Sequence, residues 1–315
     1  MESVVAHPEQ RIRAPVWRSA MRRREALYGI AFASPFLLGL VLWTAGPAVA
    51  SAVLSFFDYD IVSAPRRAGA QNYVRAFTKD ELFLPSLTRT FYYVALSVPT
   101  GVAGSLLLAW LLDRDILGFK LFRGMFYVPS LTPAVALAFL WKWILNPKIG
   151  PVNYALKAVF GIEGPMWLGD PNWAIPSLVI MGLWSGLGGN RMLIFLAGLQ
   201  GVPRELYEAA SIDGAGPWRR FTNVTLPILS PTIFLNLVLA IIGALKVFES
   251  SYIATAGGPA YATWFIALHI YQFAFKYYQM GYASALAWVF MVIILLFTML
   301  QFYLQKHWVY YASES

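Results

Sequence analysis

Few residues in this chain are suited to chemistry, and the most notable are charged side chains inside apolar segments. Arg191 follows a glycine-rich stretch at 188–189, and Lys246 and Glu249 lie three residues apart in a later apolar segment. A charge inside a membrane-spanning helix is energetically costly, so each is a functional candidate by default. Arg191 either contacts a ligand or binds backbone carbonyls. Lys246 and Glu249 are expected to pair across one helix face.

The usual catalytic groups are missing from the sequence. There is no cysteine, and the three histidines are far apart without an HExxH spacing. No serine stands in a GxSxG motif, and no lysine completes the GxxxxGK[ST] loop that binds nucleotide phosphates. This pattern argues against an integral-membrane enzyme. It predicts that the chain itself binds no metal, no nucleotide and no other cofactor.

The segments that must position the charged residues are long and apolar. Of the 315 residues, 58% are hydrophobic and 13% are charged. The runs 94–112 and 282–304 carry no charge, and each reaches the length of about 20 residues that crosses a bilayer. Hydrocarbon offers the backbone no hydrogen bonds, so these runs must be helices. The sequence therefore predicts an all-α integral membrane protein with about six transmembrane helices.

The apolar runs also predict the domain organisation. We expect a basic cytoplasmic tail at 1–25, a six-helix domain at 26–307 and a short C-terminal tail at 308–315. The first helix could also be a cleavable signal peptide, but its apolar part is longer than such peptides have. Pro129 and Pro133 should kink the third helix. The predicted helices are 26–57, 86–112, 121–145, 173–199, 230–254 and 282–304.

The distribution of Lys and Arg predicts the orientation. Thirteen of these residues fall on one side of the predicted helices and seven on the other. Because cytoplasmic segments are enriched in positive charge, the side with thirteen is the inner one. This places both termini and the segment 203–227 in the cytoplasm, in a multi-pass protein of the plasma (inner) membrane. The basic tail can touch anionic lipid; no nucleic-acid partner is expected.

The segment 203–227, between the fourth and fifth helices, predicts a helix, a tight bend and a second helix. Pro203 suits a first helical turn, Gly214 suits a helix stop, and Pro217 suits a restart. One set of residues within it has a fixed spacing: Glu208, Ala209, Ala210, Gly214, Leu226 and Pro227. The two alanines have little side-chain bulk, so a partner surface can approach the backbone closely there.

This spacing resembles the EAA motif of permease subunits in binding-protein-dependent ABC importers. Val224 stands where the motif has isoleucine, and the other fixed positions match. The runs LAGLQ at 196–200 and IDGA at 212–215 resemble the carbohydrate branch, the maltose and glycerol-phosphate type of sugar permease.

The resemblance implies that segment 203–227 couples the membrane helices to a separate ATPase. Glu208 and Asp213 would hold the docking geometry, Gly214 would make the bend, and Leu226 and Pro227 would redirect the chain into the fifth helix. It also implies a second permease subunit, two ATPase subunits that bind ATP and Mg, and an external solute-binding protein.

The function expected from this resemblance is ATP-driven import of sugars or sugar-like solutes by alternating access. A glycerol-phosphate-type permease is the alternative within the family, and an ion-coupled secondary carrier is the alternative outside it. Sugars bind to aromatic faces and to forked polar groups, and the family lines its path from the helices on either side of the motif. The candidate path residues are Trp184, Asn190, Arg191, Asn236, Gly243, Lys246, Val247 and Tyr252.

Overall fold

The computed structural model describes residues 20–113 and 118–310, which form fifteen α-helices and one small two-stranded ribbon. Residues 1–19 of the predicted tail at 1–25 lie outside the described residues. Residues 311–315 of the predicted C-terminal tail also lie outside them. Helix α1 (Ala20–Leu40) begins within the predicted tail, six residues before the expected start of the first helix.

The chain divides into two compact units, and the first ends at Val53. Within it α1 continues through a π-helical turn (Val41–Ala45) into α2 (Gly46–Leu54). The run Arg23–Leu54 is long and apolar enough to cross a membrane. Its large apolar side chains are exposed, Phe32 by 87% and Trp43 by 82%, as a lipid-facing helix requires.

The second unit begins at Leu54, the last residue of α2, and its first strands form a short antiparallel ribbon. Strand β1 (Phe57–Asp58) pairs with β2 (Arg66–Arg67), with Phe57 opposite Arg67. The helices that follow are α3 (Gln71–Thr78), α4 (Phe83–Leu112), α5 (Phe119–Tyr127), α6 (Ala134–Ile144), α7 (Pro151–Phe160), α8 (Pro171–Gly186), α9 (Asn190–Gln200), α10 (Arg204–Ile212), α11 (Pro217–Arg220), α12 (Leu226–Leu245), α13 (Glu249–Ala254), α14 (Ile266–Tyr271) and α15 (Met280–Leu304).

Helix α4 is the centre of this unit and packs against α8, α9 and α12. One apolar cluster fills the space between α4, α9 and α12, with Met192 and Phe195 fully buried in it. A second cluster joins the start of α4 to α14 and α15 through Phe83, Ile266 and Leu286. These contacts fix the faces that α4 turns toward its neighbours.

Two of the predicted membrane helices are bent pairs. Helices α5 and α6 meet at 96° across a short 3₁₀ turn, Val128–Leu131. Thr132 has ψ 128° because the ring of Pro133 disfavours helical backbone in the residue before it. The predicted kink at Pro129 and Pro133 is thereby confirmed. Helices α8 and α9 meet at 52°.

The predicted fifth helix differs from the structure at both ends. Helical backbone already begins at Pro217, and it stops after Leu245, so one uninterrupted helix at 230–254 was wrong. Val247 leaves the helix and buries its side chain beside Trp141 and Leu178. Tertiary packing of this side chain therefore outweighs the helical preference of the apolar run.

Among the described residues, four helical runs are long and apolar enough to cross a membrane, or six if each bent pair is one span. The predicted all-α membrane fold is confirmed. The last span contains α15 and starts two residues before the predicted 282–304.

Candidate functional site

The segment that carries the spaced residues is a helix, a sharp turn and a second helix. Helix α10 ends at Ile212, and α11 starts at Pro217 with Gly216 as its N-cap. Gly214 has φ +75°, a left-handed conformation that glycine adopts without steric cost. The local geometry expected from Gly214 and Pro217 is therefore present.

The turn after α10 is a Schellman motif. The Ala215 N–H donates to the Ala210 carbonyl at 2.9 Å, and the Gly214 N–H donates to the Ser211 carbonyl at 3.1 Å. These two bonds satisfy carbonyls that the end of a helix leaves unpaired, and they require a left-handed residue at Gly214. The bend is thus determined by a single backbone conformation.

We call segment 203–227 the elbow, and hydrogen bonds between side chains join its two helical arms. The hydroxyls of Tyr207 and Thr225 lie 2.9 Å apart, and Arg220 Nη1 donates to Ser211 Oγ at 3.0 Å. Thr225 belongs to a π-helical turn, Phe221–Thr225, that joins α11 to α12. The elbow therefore connects rigidly to the long helix α12.

The motif residues are mostly at the surface. Glu208, Ala209, Asp213 and Gly214 are exposed, and Ala210 is partly buried. The apolar side chains of Ile212 and Trp218 are also exposed, by 88% and 67%. Both side chains are therefore available for contact with another surface.

The expectation for Leu226 and Pro227 needs correction. Helical backbone runs without interruption from Pro217 to Leu245, so these two residues do not redirect the chain. Pro227 lies directly after a π-helical turn inside this continuous run, where its missing N–H leaves one carbonyl of that turn without a helical partner. The irregular element here is the π-helical turn before it.

A cavity of about 210 Å³ lies among α4, α8, α9 and α12, and we call it the arginine cavity. Three predicted path residues line it: Arg191, Gly243 and Val247. The other walls carry the hydroxyls of Tyr93 and Ser97 and the apolar side chains of Val98, Val179, Leu183, Leu239, Ala240 and Ala244.

A second cavity of about 490 Å³ adjoins the first and shares Gly182 and Val247 with it. Lys246 and Glu249 line this second cavity. Their expected pairing was wrong, because the helix breaks between them and no ion pair joins them among the described residues. Both cavities are lined from α8, the first by Val179 and Leu183 and the second by Met181 and Ser185.

The other four predicted path residues do not line either cavity. Asn236 is buried and donates its amide to the Thr232 carbonyl at 3.0 Å, which is a bond within α12. Asn190 accepts a hydrogen bond from Tyr127 at 3.3 Å. Trp184 packs edge-on against Trp141, and Tyr252 stacks on Phe248 with ring centroids 5.3 Å apart. The sequence, in turn, missed Tyr93 and Ser97.

A buried polar cluster that the sequence did not reveal joins the starts of α4 and α15 to α14. Asp80 Oδ2 accepts hydrogen bonds from His269 Nε2 at 2.9 Å and from the Tyr282 hydroxyl at 2.5 Å. Its other oxygen accepts the backbone N–H groups of Leu82 and Phe83. Arg75 lies over the Tyr282 ring, with Cζ 4.1 Å from the centroid.

The indole of Trp264 determines the tautomer of His269. Trp264 Nε1–H can only donate, and it lies 3.0 Å from His269 Nδ1. Nδ1 must therefore accept, so the neutral ring carries its proton on Nε2 and donates it to Asp80. Burial alone would raise the pKa of Asp80, but the hydrogen bonds from His269 and Tyr282 outweigh it and hold the pKa at about 2.

Asp80→Asn is expected to destabilise the protein by about 3 kcal/mol near neutral pH. Both carboxylate oxygens of Asp80 accept hydrogen bonds in the wild type. In the asparagine variant the side-chain NH₂ would replace one of these oxygens and would therefore face hydrogen-bond donors. Since the folded-state pKa is depressed, the wild-type advantage is present above the ordinary pKa near 4 and is lost as pH falls toward 2. Thermal unfolding of the purified protein at several pH values measures the difference.

The neighbouring change Glu81→Gln is the control, because Glu81 is exposed and lies next to Asp80. This change also removes one negative charge, but it leaves the hydrogen bonds of the buried cluster unchanged. Equal stability of Asp80→Asn and wild type at pH 7 would contradict the assigned bonding.

Comparison with known proteins agrees with this architecture. Residues 83–310 match the family model described as "Binding-protein-dependent transport system inner membrane component". A probable ABC transporter permease protein, YesP, of Bacillus subtilis (strain 168) is 41% identical over 95% of this chain and 96% of its own length. The lactose transport system permease protein LacF of Rhizobium radiobacter is 33% identical over 91% and 96%.

The fold also matches a solved structure. A chain of a bacterial alginate ABC transporter, crystallised in complex with an alginate pentasaccharide-bound periplasmic protein, aligns with a TM-score of 0.79. The alignment covers 91% of this chain and 96% of that chain at 23% identity. At that identity the match concerns the fold.

Proposed function

The chain belongs to the family of binding-protein-dependent transport system inner membrane components, and we propose that it imports sugars or sugar-like solutes as a subunit of an ATP-driven transporter. The family is one of multi-pass membrane permeases whose transport depends on a binding protein. The observation that carries the sugar assignment is the 33% identity, across 91% of the chain, to a lactose permease.

In this proposal the exposed elbow 203–227 docks on a separate ATPase. Glu208 and Asp213 place charge beside the small surface of Ala209 and Ala210, and the exposed Ile212 and Trp218 supply apolar contact area. Tyr207 and Arg220 tie the elbow to the turn before α12. Movement of the docked elbow would therefore be transmitted to α12, which lines the arginine cavity.

The proposed assembly contains a second permease subunit and two ATPase subunits, which bind ATP and Mg. An external solute-binding protein delivers the solute, in keeping with the family's dependence on a binding protein. The excess of Lys and Arg on one side supports cytoplasmic termini and a cytoplasmic elbow. The elbow then lies on the side where ATP is available.

The solute path in this proposal follows the two adjoining cavities. Both are lined from α8 and from the residues after the break at Leu245, and the first also from α4, α9 and α12. Ligand sites in membrane transporters often lie at helix breaks, where backbone groups are free of the regular ladder. The break between α8 and α9 and the break after Leu245 are both beside these cavities.

Reconstitution of the complete complex in proteoliposomes tests this function. Uptake of a panel of radiolabelled neutral and acidic sugars is expected to require both the solute-binding protein and ATP on the side of the membrane that carries the ATPase subunits. Uptake by this chain alone, driven by an ion gradient without ATP, would instead establish the secondary carrier.

A glycerol-phosphate-type permease is the second candidate, and one observation favours it. Arg191 provides a cation inside the arginine cavity, which a neutral sugar does not require. Uptake of radiolabelled glycerol 3-phosphate in the same proteoliposomes distinguishes this candidate from a transporter of neutral sugars.

A further inference from the structure

Arg191 places a positive charge at membrane depth. It is the second residue of α9, and its Nη1 atom lies so close to α4 that a Cβ on Gly101 would come within 2.6 Å of it. Gly101 lies eleven residues before the end of α4 at Leu112, or about 17 Å along the axis at 1.5 Å per residue. That distance is well inside a hydrocarbon core of about 30 Å.

No carboxylate compensates this charge from the walls of the arginine cavity. Helices α4, α8, α9 and α12 contain neither Asp nor Glu. Within residues 20–113 and 118–310, Arg191 forms no ion pair and no hydrogen bond with another residue. An unpaired guanidinium in a low-dielectric site is strongly unfavourable, so an anion entering the cavity would be bound favourably.

The other polar groups of the cavity suit an oxygen-rich ligand. Ser97 Oγ is shielded from solvent and has no hydrogen-bond partner among the described residues. The Tyr93 hydroxyl reaches the same cavity, near Gly182, where an added Cβ would lie 3.4 Å from it. A guanidinium fork binds carboxylate or phosphate with two parallel hydrogen bonds, and the two hydroxyls can bind further oxygens.

We propose that the arginine cavity selects solutes that carry an anionic group, a carboxylate or a phosphate ester, and that Arg191 binds that group. The apolar walls formed by Val98, Val179 and Leu239 accommodate the carbon face of the solute. This inference rests on the proposed import function, because it names the chemical class of solute that uses the same path.

Equilibrium binding to the assembled complex in nanodiscs, without ATP, tests the inference. The probes are digalacturonate, its neutral dimethyl ester and glycerol 3-phosphate. Wild type is expected to bind at least one of the two anions about tenfold more tightly than the ester, since a charge-assisted hydrogen bond is worth that factor. The anion whose binding depends on Arg191 identifies the group as carboxylate or phosphate.

Arg191→Gln should abolish the preference for the anion and leave the affinity for the ester unchanged. Arg191→Lys should retain part of it. Gly101→Ala should weaken anion binding by displacing the guanidinium, whereas Gly104→Ala adds the same methyl group one turn away, against Leu187, and should not. The comparison of Gly101→Ala with Gly104→Ala separates the effect of moving Arg191 from a general effect of altered packing on α4.

Equal affinity of wild type for the anions and the ester would overturn the inference, as would an anion preference that survives in Arg191→Gln. Failure of the proposed import function has a different signature, which is the absence of ATP-dependent uptake of any solute in proteoliposomes. The binding measurement uses no ATP, so the two failures are distinguishable.

Discussion

Gly214→Val is expected to lower solute-stimulated ATP hydrolysis in the assembled complex by about tenfold. Gly214 has φ +75°, and a left-handed conformation costs an L-residue about 1–2 kcal/mol, with β-branched residues the least tolerant. An energy of 1.4 kcal/mol corresponds to a factor of ten in the population of the docked shape. ATPase activity and uptake are measured together in proteoliposomes.

The added side chain does not clash with anything, because no atom lies within 4 Å of a Cβ built on Gly214. The effect must therefore come from backbone conformation alone. Gly216→Val is the matched control, since that position is also open and has an extended backbone, with φ −67° and ψ 171°. Gly214→Asn should retain most coupling, because asparagine tolerates the left-handed region. Full coupling in Gly214→Val would contradict the proposed role of the elbow.

Gly188→Ala is expected to cause a large loss of folded protein. A Cβ at this position would lie 1.9 Å from the backbone carbonyl oxygen of Phe126 at the end of α5. A backbone atom cannot move away by changing rotamer, so α5 and the break between α8 and α9 must separate. We expect a cost of about 3 kcal/mol, the upper end of the usual range for overpacking.

Size-exclusion yield and thermal unfolding of the purified protein measure this loss. Gly186→Ala is the matched control, because it lies two residues earlier and has no atom within 4 Å of an added Cβ. If Gly188→Ala and Gly186→Ala melt at the same temperature, the close approach between α5 and this break is not present in the folded protein.

Features encoded locally could be predicted from the sequence. The runs 94–112 and 282–304 are apolar over a bilayer's width, and both belong to membrane-length helices. Pro133 acts on the residue before it, so the sharp bend between α5 and α6 follows from adjacent residues. Gly214 and Pro217 likewise determine the elbow through their own backbone preferences.

Features that depend on packing could not be predicted in this way. Asp80 and its partners His269 and Tyr282 are separated by 189 and 202 residues, and no local spacing links them. The helix ends at Leu245 because Val247 finds a buried position, which depends on residues from other helices. For the same reason the sequence pointed to Asn236, which bonds within its own helix, and missed Tyr93.

The hydrogen bonds around His269 run in one direction, from the Trp264 indole through the imidazole to Asp80. The donors and acceptors match in one arrangement only, because the indole N–H can only donate and the ionised carboxylate can only accept. The cluster therefore holds three separate segments of the chain in a single register. Displacement of any one of these segments would leave a buried donor or acceptor without its partner, so the three must keep their relative positions together.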